Sequence, residues 1–325
     1  MEKYKVLITS IGSTTSIGVI KFIRKCKSDS IFIFGTDINE EKKNAGSALV
    51  DKFYKVPSFN NPDYLPSIKN IVRQHGINII VPIHDYEIEV LSCSIKEFAE
   101  LGCKVIVSSY ETVKLVNDKL LFENLLSKNG ILSPKTYKIG QWQNQKIETK
   151  AKWVLKPMQG VGSKGIYIGN RNAIDRVIAD KGLSGENYII QEFIEGTEYT
   201  VDMFIKAKKA TCIVPRIRVE VREGLCYKAS TESNREFVEI INKIISHFDF
   251  YGPINIQFIK QDISGDLYCI ECNPRFGGSS VITLYAGINL FDFILEDMEN
   301  QSLQYNSHYK EIYMNRYWEE VYYEK

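Results

Sequence analysis

Ile254-Asn-Ile-Gln257-Phe258 and Tyr268-Cys-Ile-Glu271-Cys-Asn273-Pro-Arg275 are two runs rich in β-branched and aromatic residues, joined through Asp262-Ile-Ser-Gly-Asp266, a loop of turn formers. This is the pattern of a β-hairpin. A turn centred on Ser264 sets Gln257 opposite Glu271 and Asn255 opposite Asn273. Side chains alternate across a strand, so Asn255, Gln257, Glu271 and Asn273 share one face, while Ile254, Ile256, Phe258, Ile270 and Cys272 take the other. A carboxylate and amide oxygens on a rigid sheet, with Arg275 just beyond, are the donors that Mg2+ and a polyphosphate take together. The same alternation also describes a hairpin with one solvated face, and the hairpin alone does not decide between them.

The rest of the chain narrows the choice. Its 325 residues give room for two or three compact units with cores of normal size. Lys and Arg number 41 against 40 Asp and Glu, so there is no electrostatic footprint for nucleic acid or acidic lipid. Seven cysteines without framework spacing point to reduced thiols. Cys269 and Cys272 form a C-x-x-C, but positions i and i+3 of a regular strand face opposite ways, so this pair is not expected to grip one metal, and Cys272 reads as core. The opening Met-Glu-Lys-Tyr-Lys precedes too short an apolar run for a signal peptide, and no stretch approaches membrane-spanning length. A soluble, cytoplasmic protein is expected.

Residues 4–11 read as a buried strand, Gly12-Ser-Thr-Thr-Ser-Ile-Gly18 as a tight turn and residues 16–26 as a helix. Further strands are expected at Ile31 to Asp37, Ile77 to Pro82 and Lys104 to Ser108, with helices near 63–75 and 85–101. Alternating β and α elements imply a parallel sheet covered by helices, with ligands outside the carboxyl ends of its strands: Ser10 to Ser16, Asp37 and His84 to Glu87. The glycines are spaced G-x5-G, not as the dinucleotide fingerprint, and a turn needing positive φ explains them as well. His84 reads either as a ligand contact or, the favoured reading, as a hydrogen-bonded loop residue, with Asp85 and Glu87 capping the next helix. Beyond Ser109 the spacing predicts one long helix over 112–128, closed by Asn129-Gly130, and an extended segment from Pro134. Residues 136–170 and 187–228 are strand-like, with helices near 172–181 and 232–248. The aromatic, charged tail from Tyr305 is expected to pack on the body or on a partner.

Two segments suit phosphate and nucleotide. Trp153-Val-Leu-Lys156-Pro157 ends a strand and runs into a loop holding Gly160, Gly162, Ser163 and Gly165, whose amides can face one anion beside a lysine. It is no Walker A loop, because G-x4-G-K-[ST] is absent and a strand follows. Gln191-Glu192-Phe193-Ile194 is an apolar edge with backbone groups suited to an adenine. Glu198, Thr200 and Asp202 alternate on one strand face, where a carboxylate can accept from ribose hydroxyls. Arg216, Arg218, Glu220 and Arg222 alternate on another strand, either lining an acceptor site or forming an exposed charged ladder.

In this order the pieces resemble the ATP-grasp superfamily, most closely the branch related to the carbamoyl phosphate synthase large chain. The likeness runs over nearly the whole chain. It rests on Asn117-Asp118-Lys119 with Leu126, Gly130-Ile131 and Pro134, on Lys156-Pro157 and its glycine loop, on Gln191-Glu192-Phe193, on Gly196-Thr-Glu198, and on the opening hairpin with its Glu-x-Asn-Pro-Arg. The resemblance implies an α/β, Rossmann-like parallel-sheet domain of the pre-ATP-grasp type over 1–110. A two-lobed α+β ATP-grasp domain would follow over 111–300, its small lobe at about 111–190 and its large lobe at about 191–300, ahead of a tail over 301–325.

By the same resemblance Lys119 and Lys156 contact ATP phosphates under a lid carrying Gly160, Gly162, Ser163 and Gly165. Glu192, Phe193 and Ile194 hold the adenine, and Glu198 the ribose. Gln257, Glu271 and Asn273 hold one or two Mg2+ ions, with Mn2+ as a substitute. Arg275 stabilises charge on the γ-phosphoryl group or an acyl phosphate, and Arg216 lies near the acceptor. The implied reaction is ATP-dependent ligation of a carboxylate to an amine or thiol through an acyl phosphate, releasing ADP and phosphate. Carboxyphosphate or carbamate chemistry is the second reading, and a nucleotide-binding regulatory protein without turnover the third. No glutaminase region with a Cys-His pair and no biotin-carboxylase pattern accompanies the single ATP-grasp unit. The hydroxyl-rich loop after the first strand is more polar than the glycine turn of relatives and is placed to contact a substrate. Oligomeric state stays open, a homodimer being the form many relatives take.

Overall fold

The structure is a computed structural model that describes residues 3–26, 30–146, 151–158, 165–185, 187–222, 224–233 and 235–324. It begins with a five-stranded parallel sheet: β1 (Tyr4–Ile8), β2 (Ile31–Asp37), β3 (Lys52–Lys55), β4 (Ile79–Val81) and β5 (Lys104–Val105), in the order β3-β2-β1-β4-β5. Apolar runs such as Val6-Leu7-Ile8 arise because both faces are covered. Val6 and Ile8 pack with Val19, Phe22 and Ile23 of α1 (Thr14–Arg24). Leu7 and Ile80 pack on the other side against α2 (Tyr64–His75), α3 (Asp85–Cys93) and α4 (Ile95–Glu100).

Three expectations are corrected here. The edge strand β3, Lys-Phe-Tyr-Lys, lacks a run long enough to read as a strand. The helix expected over 85–101 is two, α3 and α4, separated at Ser94. The first helix starts at Thr14, capped by the Ser13 hydroxyl accepting from the Ser16 amide at 3.2 Å, so Gly18 lies inside it and not in a turn.

The long helix expected over 112–128 is also two, α5 (Tyr110–Asn117) and α6 (Lys119–Lys128). Asp118 breaks it: its backbone leaves the helical region and its carboxylate accepts from the amides of Leu120 and Leu121, both at 3.0 Å. A four-stranded antiparallel sheet follows in the order β6-β9-β7-β8, made of β6 (Thr136–Lys138), β7 (Trp153–Pro157), β8 (Tyr167–Gly169) and β9 (Tyr188–Glu192). With α7 (Ile139–Gln143) and α8 (Arg171–Lys181) it encloses a core of Trp142, Trp153, Leu155, Ile174 and Ile190.

The third sheet has six antiparallel strands in the order β14-β13-β10-β11-β12-β15. They are β10 (Gly196–Lys206), β11 (Lys209–Arg222), β12 (Leu225–Thr231), β13 (Gly252–Gln261), β14 (Leu267–Asn273) and β15 (Tyr313–Asn315). One face packs on α5, α6 and α9 (Val238–Ile245) through Val116, Phe122, Ile241 and Ile244. α9 is shorter than the expected 232–248. On the other face, Phe204, Cys212 and Val214 join the core of the parallel sheet through α11 (Leu290–Met298), and α10 (Val281–Ala286) lies beside them. The tail runs along β12 as β15 and packs Ile312 and Met314 on Cys226, Ala229 and Ile282, while Tyr317, Trp318 and Tyr322 stay exposed. No described helix is long and apolar enough to cross a membrane.

Candidate active site

The hairpin β13–β14 places the candidate ligands. Asn255 pairs with Asn273 and Gln257 with Glu271, as the turn position predicts, but the register shifts before Phe258, which pairs with Cys269. A β-bulge at Ile270 causes the shift, and one extra residue reverses the side-chain alternation beyond it. Ile270, expected in the core, therefore lines the cleft beside Glu271, and Cys269 and Cys272, expected on opposite faces, are buried in the same core.

Continued across the sheet, the pairing gives one row: Glu271 of β14, Gln257 of β13, Thr200 of β10 and Arg216 of β11. All four line a cleft of about 520 Å3. Asn273 donates to Asn255 Oδ1 at 3.3 Å and accepts from Arg275 Nη2 at 3.3 Å. Arg216 is buried, with Nε 2.8 Å from Asp202 Oδ2 and Nη1 3.0 Å from the Ser279 hydroxyl. Arg218 pairs with Glu198 and its Nη2 donates to the Gly224 carbonyl at 3.0 Å. Register shifts after Arg218 and Glu220 end the expected alternation on β11. Arg216, Arg218 and Val221 line the cleft, whereas Glu220 turns to Arg222 and Lys228 outside it.

Three further cations face this row. Lys119, set at the start of α6 by the Asp118 break, donates to the Met158 carbonyl at 3.2 Å. Lys156 is buried on β7 and donates to Gln191 Oε1 at 2.7 Å. Burial pushes its pKa down to about 8; Glu271 pulls the other way and Lys119 adds to the fall. Arg275 reaches across to the parallel-sheet domain, where its Nη2 lies 3.0 Å from Asp85 Oδ2. Burial alone would raise the Asp85 carboxyl, but Arg275, with His84 and Lys119 behind it, holds it below the usual carboxylate range.

The cleft also has apolar walls, including Pro134, Val154, Phe193, Ile194, Ile259 and Ile270. The amides of Glu192 and Phe193 are bonded to the carbonyls of Lys135 and Lys152, at 2.8 and 3.2 Å, so those two backbone donors of this segment are already taken. The Ile194 amide has no partner among the described residues. Gly165 adopts φ 74°; Gly160, Gly162 and Ser163 lie outside the described residues.

Of the residues at the carboxyl ends of the parallel strands, Thr15 and Asp85 line the cleft. The others hold the scaffold. Asp37 accepts from the Gly12 amide at 3.0 Å, and buried Glu87 accepts from Thr9, Ser10 and Tyr64. His84, expected as a hydrogen-bonded loop residue, instead packs its ring against Phe59 and Tyr86, and its Nδ1 has no partner among the described residues. Sequence reasoning placed Asp85 among the strand-end ligand positions but not its pairing with Arg275, and it missed Ile270 as a wall.

The donor set suits an ion shared with a polyphosphate: one carboxylate, Glu271, flanked by the amide oxygens of Gln257 and Asn273, with lysines behind. Among the described residues no group of three His, Cys, Asp or Glu could hold a metal alone. A parallel-sheet domain laid against two antiparallel lobes, with a cleft lined by both cationic and apolar side chains, defines the class of ATP-grasp enzymes. The chain belongs to the ATP-grasp family: the ATP-grasp domain matches residues 116–279, and a PylC-like, N-terminal domain matches residues 6–106. It is similar to tyramine–L-glutamate ligase of Methanocaldococcus fervens, 23% identical over 77% of this chain and 76% of the ligase. It is also similar to the carbamoyl phosphate synthase large chain of Agathobacter rectalis, 23% identical over 73% of this chain but only 23% of the synthase. The fold matches the N5-carboxyaminoimidazole synthetase of Staphylococcus aureus complexed with ADP, at TM-score 0.72 and 17% identity, covering 93% of this chain and 78% of that one.

Proposed function

We propose that the chain is an ATP-dependent, ADP-forming ligase that activates a small carboxylate as an acyl phosphate and joins it to an amine. The observation that carries this reading is the row Glu271–Gln257–Thr200–Arg216, faced within one cleft by Lys119, Lys156 and Arg275. Phosphoryl transfer needs positioning and neutralisation more than covalent chemistry, and cations on a rigid sheet supply both.

In this reading the adenine lies between Ile194, Ile270 and Val154, with the Ile194 amide as a donor, and Glu198 accepts from the ribose. Lys119 and Lys156 neutralise the phosphates. Mg2+, held by Glu271, Gln257 and Asn273 together with phosphate oxygens, would supply charge neutralisation there, one ion or two, with Mn2+ as a substitute. The acceptor carboxylate lies toward Arg216, Ser279 and Thr15, where it attacks the γ-phosphoryl group; an amine then displaces phosphate from the acyl phosphate. Splitting the reaction replaces a poor leaving group with a good one, and a closed cleft keeps water from the intermediate. The seven free cysteines support a cytoplasmic location.

The test is an ADP-release screen of amino acids and small carboxylates, each paired with amines, in Mg2+. Glu271→Gln is expected to lower the rate by about 100-fold or more. Full activity in that variant would sink the site assignment. Release stimulated by bicarbonate alone would move the protein to carboxyphosphate chemistry.

A further inference from the structure

Arg275 is not free to swing onto a phosphate. Its Nε and Nη2 are paired with the two oxygens of Asp85, Nη1 donates to the Phe276 carbonyl at 3.1 Å, and Nη2 also donates to Asn273 Oδ1. A guanidinium has five N–H groups, so about four are engaged and one on Nη1 remains. Its partner comes from another domain, 190 residues away in the chain. Asp85 is itself well anchored. It is the first residue of α3, where the helix dipole favours a carboxylate. Two residues on, buried Glu87 fixes that turn by accepting from Thr9 at 2.7 Å, Ser10 at 2.6 Å and Tyr64 at 3.0 Å. Ser10 accepts a left-handed φ of 48° in making its contact.

We infer that Asp85 is a positioning residue for Arg275: it fixes the plane of the guanidinium from the parallel-sheet domain and cancels part of the charge that Arg275 presents to a nucleotide. The pair is bidentate, which sets orientation as well as distance. Lys119, Lys156 and Arg275 would face one polyphosphate in this cleft, and the carboxylate lowers their net charge by one. A nucleotide is thereby bound less tightly before reaction, and Arg275 is held where negative charge develops as the phosphoryl group transfers. Binding that is weaker in the ground state than in the transition state raises turnover. This inference rests on the ligase reading.

Asp85→Asn separates positioning from mere support, because the two predict opposite movements of affinity and rate. The carboxamide leaves the guanidinium loose and the cleft one charge more positive. A non-hydrolysable ATP analogue with Mg2+ should then bind about 3- to 10-fold more tightly by calorimetry. ADP release with an active substrate pair should fall about 30- to 100-fold. Asp85→Glu, which keeps the charge, should recover most of the rate and return the affinity to that of the parent. A residue that only supports the fold would weaken binding and turnover together and lower the melting temperature; that result overturns the inference, as does a turnover within twofold of the parent. Should Asp85→Asn fail to fold, Arg275→Lys, which keeps the charge but loses the bidentate plane, must still lower turnover by a similar factor with the analogue affinity held within about threefold, and any other result overturns it. If the unmodified protein releases no ADP with any pair, the ligase reading fails, while tighter or unchanged analogue binding in Asp85→Asn still decides for or against the charge-cancelling role.

Discussion

Lys156 carries the least secure charge in the cleft, since burial brings its pKa down to about 8. The unfolded chain holds that proton up to the ordinary lysine value near 10.5, so between about pH 8 and 10.5 the unfolded state binds more protons and the empty protein gains stability as pH rises. Nucleotide binding moves the other way. A triphosphate selects the charged lysine, so analogue affinity should fall toward tenfold per pH unit above about 8, with uptake of up to one proton at pH 9. Calorimetry in two buffers of different ionisation enthalpy reads that proton, and Lys156→Met should abolish it; uptake that persists in the variant assigns it elsewhere. Lys156, Lys119, Glu271 and Asn273 were legible in the sequence because phosphate and metal chemistry use few residue types at fixed offsets on known elements. The strand-end position of Asp85 was legible too, but its pairing was not, because the partner lies 190 positions away and no local pattern shows it.

At the scale of the element, β14 shows what alternation hides. The turn position fixed the Asn255–Asn273 and Gln257–Glu271 pairs, yet a single bulge at Ile270 exchanged the faces of every residue nearer the turn. Regular alternation and the bulge make opposite predictions. With the bulge, Ile270→Ala removes a cleft wall and should weaken analogue binding about 3- to 10-fold with little loss of stability. Cys269→Ser, at 1% exposure, puts a hydroxyl into the core and should cost about 1–3 kcal/mol in urea unfolding while leaving affinity nearly unchanged. In a regular strand the two effects would change places. The same blindness affected β11, where two register shifts turn Glu220 and Arg222 away from the cleft, and residues 112–128, where Asp118 divides a continuous apolar pattern. Bulges and breaks of this kind cost one residue and leave hydropathy almost untouched, so periodicity does not reveal them.

Over the whole molecule, the cleft works only if the parallel-sheet domain stays seated on the six-stranded sheet, since Asp85 and Thr15 come from the first and Glu271 and Arg216 from the second. The βαβ alternation and the hairpin-rich second half made both units legible; how they meet was not, because the apolar and charged residues that join them are scattered along the chain. Asp297 of α11 is the centre of that contact. Buried, it takes ion pairs from Lys104 of β5 and Lys206 of β10, and its Oδ2 accepts from the Tyr251 hydroxyl at 2.6 Å. Burial alone would raise its pKa, but these donors bring it down to about 2. A carboxylate with a depressed folded pKa gives stability that is complete above the unfolded value near 3.8 and is lost as pH falls from there toward 2. Asp297→Asn should therefore lower the melting temperature at pH 7 by roughly 5 °C, since it leaves two lysines without their counter-charge. Its deficit relative to the parent should shrink as pH falls from about 4 toward 2, because the parent then loses the same charge. A deficit that stays constant across that range would mean that Asp297 acts by shape alone, and that the domains are joined by their shared apolar core of Phe204, Phe276, Phe291 and Ile294 without electrostatic help.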